Sequence, residues 1–474
     1  MFWLWLACGG EKSQDTISDS ASSDTGDEVE LTCMDEDSYF SGLSIEPTDI
    51  STVFRVSWTA EGDEHYLHYL DSVGASRFVS AQSSGNTHSA LAVGLKPLES
   101  YALRPAVQIG EQVFCGQGEE VRPEALSQML PESTHQGETK DGFLVTALTT
   151  EQMRFVTIVD GLGDFVWAKE VPFQGGLSED GPLTQALLSS TNDKIAYFTF
   201  DNTGSQTATL HEVGLDGTEL RSVPVPGWHI SFTEVEAGVY AGLGSDTYVR
   251  EDGVEIYGDT IVELAADGTQ SVVWNSFDDF SPEQGSPYYD PMADDWMHAN
   301  FLAFDKSRGK YMISLGRINA VAQVDRATGS LDWMASGNPM FATDIRPEDE
   351  QDFPFLISEP HSVQWLGDGR ILVFNRGFPT AEIGMTCSEA TELQLDLNNR
   401  TMTKVWSAPS EECLSVIFLG ETHRIDDEQT LAVWSDRGQL DIFNAASESV
   451  WKVNLNFGAI FGFGSWHSEL GAMR

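Results

Sequence analysis

The chain has 474 residues, more than one compact core usually holds, and 41% of them are hydrophobic, which is enough to bury a sizeable core. It carries 26 Lys and Arg against 74 Asp and Glu, so its net charge is −48. A surface of this sign repels phosphate backbones and anionic lipids, which excludes nucleic-acid binding.

The N-terminus is typical of an exported protein. Its apolar first residues end in a Leu6-Ala7-Cys8 step, and a polar stretch rich in Ser, Asp and Thr follows. This pattern resembles a bacterial lipoprotein signal, although it is short and lacks a preceding basic residue, which a misplaced start codon would explain. We therefore predict a signal over 1–8, lipidation of Cys8 and a disordered tether over 9–29. An ordinary disordered terminus is the alternative.

The location that follows is the periplasm or the cell surface, with membrane contact only through the lipid anchor. The cysteines agree with export, because disulfides persist only in oxidising compartments. Apart from Cys8 there are four, which we pair as Cys33 with Cys115 and Cys387 with Cys413. Four buried free thiols are the alternative.

Residues 30–122 read as short strands separated by turns. The segment 53–58 alternates apolar and polar residues around Trp58, as a half-buried strand does. Leu95, Pro97 and Tyr101 have the spacing of a tyrosine corner. This region resembles a fibronectin type III domain, so we predict a small β-sandwich there.

After a linker at 123–140, one unit recurs six times over 141–474. Each unit has an alternating strand, a polar turn with Asp and often Gly, and a further strand that often ends in Trp. The turns begin at Asp160, Asp216, Asp267, Asp325, Asp396 and Asp441, and the tryptophans are Trp167, Trp274, Trp333, Trp406 and Trp451. Such units are typical of four-stranded blades. The prediction is an all-β chain with a six-bladed β-propeller preceded by the sandwich.

The first unit lacks an innermost strand, and we expect the C-terminal run from Phe461 to supply it, which closes the ring. Histidines recur where we place the innermost strands: His229, His298, His361, His423 and His467. Equivalent positions on different blades converge near the axis of a propeller. Arg376 follows the strand begun by His361 and should project to the same end.

Clustered His and Arg side chains suit the transfer of a tetrahedral anion such as a sulfuryl group. Neutral imidazole is a nitrogen nucleophile, whereas imidazolium and guanidinium donate hydrogen bonds to anionic oxygens. A His-only metal site is the competing interpretation, but no His-x-His or His-x-x-x-His spacing favours it. The Asp-rich run from Asp278 to Asp295 is a Ca²⁺ candidate or, more simply, an acidic surface loop. We assign no metal.

Three motifs carry a family resemblance. They are Trp296-Met297-His298-Ala299-Asn300, the segment 314–333 with Gly316-Arg317-Ile318-Asn319 and Asp325-Arg326-Ala327-Thr328-Gly329, and the strand from Pro360-His361-Ser362 to Leu372. This series is similar to that of the aryl-sulfate sulfotransferase family. The resemblance implies a periplasmic six-bladed propeller that moves sulfate between phenols through a sulfohistidine, without a nucleotide cofactor.

By the same resemblance, His298 and His361 match active-site histidines of the family and Arg376 best matches its arginine. His423 stands where the nucleophile is expected, within a diverged segment. Asn300, Arg317, His229 and His467 are further candidates for lining the channel. The predicted function is therefore aryl-sulfate sulfotransfer between a phenolic donor and a phenolic acceptor, without a cofactor. A non-catalytic cell-surface binding protein and a sulfatase-like hydrolase on the same site are the alternatives.

Overall fold

Strands make up nearly all of the regular structure. The computed structural model describes residues 31–200, 207–283, 294–337, 344–349, 356–377, 379–380, 384–385, 387–456 and 458–473. The predicted signal, Cys8 and the tether lie outside these residues. The α-helices are single turns at Leu177–Asp180 and Ser276–Asp279. Among the described residues no helix is long and apolar enough to cross a membrane. The prediction of an all-β chain is confirmed.

The N-terminal region contributes ten strands: β1 Cys33–Asp35, β2 Phe40–Pro47, β3 Phe54–Ala60, β4 Glu64–Leu70, β5 Ser76–Ser80, β6 Gln82–Ser84, β7 Thr87–Ala92, β8 Tyr101–Ile109, β9 Gln112–Cys115 and β10 Glu119–Val121. They form two sheets. One has the order β1-β9-β8-β4-β5, with β10 on β8, and the other has the order β2-β3-β7-β6.

The two N-terminal sheets bury a common apolar core that includes Trp58 and Leu103. Tyr101 closes a corner as its spacing predicts, since its hydroxyl accepts the backbone N–H of Lys96 at 2.9 Å. The Cys33–Cys115 disulfide joins β1 to β9, with its Cα atoms 5.5 Å apart. Both predicted disulfides are present.

The rest of the chain contains the strands β11 Ser133–Gly137, β12 Phe143–Thr149, β13 Arg154–Asp160, β14 Phe165–Val171, β15 Ala186–Leu188, β16 Lys194–Phe200, β17 Ala208–Gly214, β18 Glu219–Pro224, β19 Phe232–Glu236, β20 Val239–Val249, β21 Glu255–Leu264, β22 Gln270–Asn275, β23 Ala299–Asp305, β24 Lys310–Leu315, β25 Ala320–Asp325, β26 Leu331–Ser336, β27 Arg346–Pro347, β28 Pro360–Gly367, β29 Arg370–Asn375, β30 Pro379–Thr380, β31 Gly384–Met385, β32 Glu389–Asp396, β33 Thr401–Pro409, β34 Glu421–Arg424, β35 Thr430–Trp434, β36 Gln439–Phe443, β37 Ser449–Leu455 and β38 Ile460–His467.

Six antiparallel sheets follow one another along this part of the chain. We number them by their four main strands, from the innermost outward: sheet 1 is β38-β12-β13-β14, sheet 2 is β15 to β18, sheet 3 is β19 to β22, sheet 4 is β23 to β26, sheet 5 is β28-β29-β32-β33 and sheet 6 is β34 to β37. The C-terminal strand β38 completes sheet 1, as predicted. The predicted linker differs from the structure, because its residues Ser133–Gly137 pair with β37 and extend sheet 6.

Hydrogen bonds join the innermost strand of each sheet to that of the next and close into a ring. The donor–acceptor pairs, starting between sheets 1 and 2, are Phe463 N to Thr184 O (2.7 Å), Phe232 N to Gln185 Oε1 (2.9 Å), Leu302 N to Ser231 Oγ (3.1 Å), Asn300 Nδ2 to Pro360 O (3.0 Å), Thr422 N to Ser362 Oγ (3.0 Å) and Gly464 N to Glu421 Oε2 (2.6 Å). The ends of these strands therefore meet around one axis.

Two of the outer tryptophans join neighbouring sheets, a structural role of the kind that their spacing predicts. Trp167 Nε1 of sheet 1 donates to Leu215 O of sheet 2 at 2.8 Å, and Trp451 Nε1 of sheet 6 donates to Gly161 O of sheet 1 at 2.9 Å. The N-terminal region shares its core with sheets 1 and 2. A hydrogen bond of 2.6 Å from Thr52 Oγ1 to Val166 O crosses this contact.

Candidate active site

A left-handed residue precedes the innermost strand in five of the six sheets. These residues are Ile230 (φ 56°), His298 (φ 55°), Glu359 (φ 42°), Leu419 (φ 55°) and Gly458 (φ 88°). A side chain in this region costs about 1–2 kcal/mol, so four non-glycine residues there mark a strained rim around the axis. Strain of this kind concentrates where backbone direction matters for function. The rim is therefore a candidate functional surface.

His298 lies on this rim beside an acidic residue that the three family motifs do not include. Its Nδ1 is 2.6 Å from Oδ2 of Asp295, and the two side chains are 37% and 39% exposed. The hydrogen bond to Asp295 is the main cause that raises the pKa of His298 above its ordinary value, and burial opposes it. His298 is therefore stabilised as an imidazolium beside a carboxylate.

The backbone of this turn is held from several directions. The His298 carbonyl accepts the N–H of Gly316 at 3.0 Å, and the Ala299 N–H donates to Oδ2 of Asp259 at 3.0 Å. Gly316 must lack a side chain, because a Cβ there would lie 2.7 Å from Nδ2 of Asn300. The glycine of the Gly316-Arg317 motif is thus a packing requirement of the rim.

Asp259 is a buried carboxyl group behind this turn. Burial raises its pKa to about 7, and the nearby charge of Asp295 acts in the same direction. Its Oδ1 lies 3.7 Å from Nε2 of His229. Burial lowers the pKa of His229 and keeps that ring neutral. Two carboxyl groups and two histidines therefore meet where sheets 3 and 4 adjoin.

His361 and Arg376 form the neighbouring part of the rim on sheet 5. His361 is 2% exposed, and burial lowers its pKa well below the ordinary value, followed by the positive charges of Arg376 and His298. Arg376 Nη2 donates to Ile417 O at 2.6 Å and lies 3.5 Å from Oε2 of Glu359. The structure therefore brings three of the predicted residues, His298, His361 and Arg376, into one electrostatic neighbourhood.

Two nitrogens in this neighbourhood are buried without a hydrogen-bond partner among the described residues. They are Nδ1 of His361 and Nε of Arg376. Burying polar atoms unpaired is costly, so such atoms usually indicate a ligand or water. A tetrahedral anion, with oxygens in several directions, suits a pair of unpartnered nitrogens of this kind.

The second disulfide supports the segment that holds Arg376. Cys387 and Cys413 have their Cα atoms 4.7 Å apart. Ser388, next to Cys387, donates from Oγ to the Arg376 carbonyl at 2.6 Å and accepts the N–H of Val416 at 2.8 Å. The disulfide therefore fastens the two stretches that position the guanidinium.

His423 lies farther along the axis than the sequence predicts. It is the third residue of β34, and the bonds from Thr422 N to Ser362 Oγ and from Arg424 N to Gln364 Oε1 set it two residues beyond the level of His361. Two residues in a strand span roughly 6.6 Å. Burial lowers the pKa of His423 to about 4.

His467 is the last residue of β38, so it does not begin the innermost strand as the repeat alignment predicts. Burial lowers its pKa to about 4, and the charge of His423 contributes. Its Nε2 lies 2.6 Å from Oγ of Ser465, and its ring lines a pocket at this end with Lys140 and Asp426. His423 and His467 therefore lie together farther along the axis than the rim, and we call them the lower pair.

A layer of aromatic rings fills the axis at the level of His361. Phe301 of sheet 4 and Phe463 of sheet 1 pack edge to face, with ring centroids 5.1 Å apart. The ring of His361 lies 5.5 Å from that of Phe463. Phe463 is fully buried and Phe301 is 8% exposed, so both rings belong to the packed core around the axis.

Asn300 and Arg317, the two remaining residues predicted to line the channel, make different interactions. Asn300 uses its amide internally, donating to Pro360 O and accepting the Ser314 hydroxyl at 2.5 Å. Arg317 is exposed, and its positive charge lowers the pKa of His298. Arg317 thus faces the rim cluster, whereas Asn300 joins sheets 4 and 5.

Three carboxyl groups near the axis are not among the predicted site residues. Asp295 had a local signal, its i,i+3 spacing from His298, but it stands at the end of a run interpreted as a surface loop, of which 284–293 lie outside the described residues. Asp259 is on β21 and has no signal in the sequence. Glu421 stands two residues before His423 on the same side of β34, and burial raises its pKa to about 8.

Sequence comparison assigns the family. A model of the arylsulfotransferase (ASST) family matches residues 129–445. The chain belongs to the arylsulfotransferase family. Membership supports a sulfotransferase that uses aryl substrates, at the level of the family. The match includes His298, His361, Arg376 and His423. No curated protein sequence is significantly similar to the chain.

Two solved structures that match this chain are distantly similar to it. A proposed 6-phosphogluconolactonase from Bacteroides fragilis is 13% identical, with 85% of this chain and 98% of that chain covered and a TM-score of 0.34. Sqt1 from Saccharomyces cerevisiae is 9% identical, with 91% and 98% covered and a TM-score of 0.34. Scores this low support no conclusion about this arylsulfotransferase family member.

Proposed function

We propose that this protein transfers a sulfuryl group from a phenolic sulfate ester to a phenolic acceptor through a sulfohistidine, without a nucleotide cofactor. Family membership supports the reaction type. The observation that carries the site is the pair of buried nitrogens without a partner among the described residues, His361 Nδ1 and Arg376 Nε, near His298, whose pKa the hydrogen bond to Asp295 raises. Together they supply a nitrogen nucleophile and donors for anionic oxygens.

Each residue has a role in this proposal. His361 is the nucleophile we favour, because its Nδ1 has no hydrogen-bond partner among the described residues and burial lowers its pKa. Arg376 holds the sulfuryl oxygens, and His298 protonates the leaving phenolate. His423, the nucleophile proposed from the sequence, is the second candidate. Burial also lowers its pKa, but the register places it two residues beyond the level of His361.

The architecture we propose has six blades formed by sheets 1 to 6 and a fibronectin type III-like sandwich formed by the two N-terminal sheets. The closed ring of hydrogen bonds between innermost strands supports the first, and the Tyr101 corner supports the second. We further propose export and anchoring through Cys8. The two disulfides support export, because they persist only in oxidising compartments.

The test is a single-turnover reaction with a nitrophenyl sulfate. Release of nitrophenol in a burst, with a gain of one SO₃ in the intact mass of the protein, is the expected result. Addition of a phenol should then discharge the label onto that phenol. Peptide mapping of the labelled protein identifies the histidine.

Other outcomes assign other functions. Steady release of nitrophenol and inorganic sulfate, with no label and no transfer to phenol, makes the protein a hydrolase. Neither release nor label with any nitrophenyl donor between pH 5 and 9 favours the non-catalytic binding protein.

A further inference from the structure

The Asp295–His298 pair has a geometry that no role described above requires of Asp295. The carboxylate contacts Nδ1 at 2.6 Å, on the side of the ring away from Nε2. Among the described residues, Nδ1 is the only nitrogen of His298 with a hydrogen-bond partner. An imidazole held in this way through Nδ1 presents Nε2 as the nitrogen that exchanges a proton.

Asp295 is itself fixed by backbone contacts. It pairs with Tyr257 of β21 in an isolated bridge, and the Tyr257 N–H donates to Asp294 O at 2.6 Å. Asp259, also on β21, holds the Ala299 N–H. One strand of sheet 3 therefore positions both the carboxylate and the turn that carries the imidazole.

We propose that Asp295 is a positioning residue that holds His298 through Nδ1, so that Nε2 carries the proton from the acceptor phenol to the donor phenolate. This rests on the proposed function. In the first half-reaction the sulfur–nitrogen bond forms, the sulfur–oxygen bond to the donor breaks, and His298 gives its Nε2 proton to the departing phenolate. In the second, the acceptor phenol returns a proton to Nε2 as its oxygen takes the sulfuryl group. Proton and charge balance without another reactant.

Other titratable or charged groups lie near this histidine on the elements packed around it. Asp259 on β21 favours the imidazolium, whereas Arg317 in the turn after β24 disfavours it. His229 precedes β19, and its pKa is lowered in part by the charge of His298. His361 on β28 and Arg376 after β29 lie next to it on sheet 5. Within the described part of the chain, Asp295 is the one group that contacts the ring by a hydrogen bond, so its removal should have the largest effect on the proton carrier.

The first experiment does not depend on activity. The titration of the histidine rings is followed by NMR in the full-length protein, with the His298 signal assigned by its loss in His298→Gln. We expect His298 to titrate above free histidine in the wild type and at lower pH in Asp295→Asn. Asp294→Asn is the matched control, because Asp294 does not contact the imidazole, and it should leave the titration unchanged. A wild-type His298 that titrates at or below free histidine overturns the proposal, even if Asp295→Asn does not fold.

The second experiment compares two donors. A phenol with a pKa of about 10 needs the proton to leave, whereas nitrophenol is more acidic and needs it less. Asp295→Asn should lower kcat/KM for phenyl sulfate by about 100-fold and for nitrophenyl sulfate by less than about 10-fold. As the pH rises, the rate of Asp295→Asn should begin to fall at a lower pH than the rate of the wild type. Asp295→Glu should restore part of the loss. Equal losses for both donors would mean a structural role only. A wild-type protein that transfers no sulfuryl group refutes the proposed function, and the titration then still decides whether Asp295 positions His298.

Discussion

The imidazole of His361 and the phenyl ring of Phe463 lie with their centroids 5.5 Å apart, although they come from sheets 5 and 1. Phe301 of sheet 4 packs on Phe463 from a third direction. The axis is therefore filled at the level of His361. A substrate bound at the rim would meet His298, His361 and Arg376, whereas His423 lies two residues farther along the axis.

This arrangement predicts which histidine carries the label. His361→Ala should abolish both the nitrophenol burst and the gain of one SO₃, because it removes the neutral nucleophile of the rim. His423→Ala should keep both, and His467→Ala serves as its control because the two rings form the lower pair. Intact mass and stopped-flow absorbance measure the two signals. If His423→Ala loses the label and His361→Ala retains it, the nucleophile is His423 and the aromatic layer does not bar the substrate.

Arg376 should act on the sulfuryl oxygens. We expect Arg376→Gln to lower kcat/KM about 100- to 1,000-fold, the usual cost of removing a donor aimed at developing negative charge. Arg370→Gln is the matched control. Arg370 is the first residue of β29, the strand that Arg376 follows, and its side chain is 44% exposed and pairs with Glu392. It should leave kcat/KM within about twofold, since exposed ion pairs contribute little. Equal losses in both variants would show a general weakening of sheet 5.

Glu421 should make stability depend on pH. Burial raises its pKa from 4.5 to about 8, although the hydrogen bond from Gly464 opposes this. The folded chain therefore binds this proton more tightly than the unfolded chain. The resulting stability is fully present below pH 4.5 and is lost as the pH rises to about 8.

Glu421→Gln isolates this effect, because the amide still accepts the Gly464 N–H but does not titrate. The free energy of unfolding of the wild type, relative to that of the variant, should fall by up to about 1.4 kcal/mol per pH unit between these values and then stay constant. Urea titrations at several pH values between 5 and 9 measure it. The histidines contribute equally to both proteins and cancel. A difference that does not change with pH would contradict a buried, protonated Glu421.

The two disulfides should have separable effects. The Cys387–Cys413 link closes 26 residues, and its removal by Cys387→Ser with Cys413→Ser should cost about 3.5 kcal/mol of stability. It should also slow turnover, because Ser388 no longer holds the Arg376 carbonyl in place.

Cys33→Ser with Cys115→Ser is the control for this effect. This link closes 82 residues, so its removal should cost more stability, about 4.5 kcal/mol, with unchanged kcat at temperatures where the protein stays folded. Urea unfolding and initial rates measure the two quantities. If only the Cys33→Ser, Cys115→Ser variant lost activity, the N-terminal region, and not the Cys387–Cys413 link, would stabilise the active site.

Some of the site was accessible from the sequence because its signals are local. The motif around His298 and the strand begun by His361 identified two rim residues, and Arg376 followed from the length of one hairpin. The i,i+3 spacing of Asp295 and His298 was also a local signal, but a run of acidic residues is most often solvated surface. No pattern in the sequence indicated Asp259, because a single carboxyl group on a third strand acquires its role only when sheets 3 and 4 adjoin.

The sequence by itself determined the all-β class, the recurring unit, the closing strand at the C-terminus and both cysteine pairs. These depend on alternation, turn residues and counting, which are properties of short segments. Only the tertiary structure decided that His298, His361 and Arg376 share the rim while His423 and His467 lie farther along the axis. The physical reason is register: strands start and end at different heights around the axis, and a shift of two residues, roughly 6.6 Å, moves a side chain from one site to another.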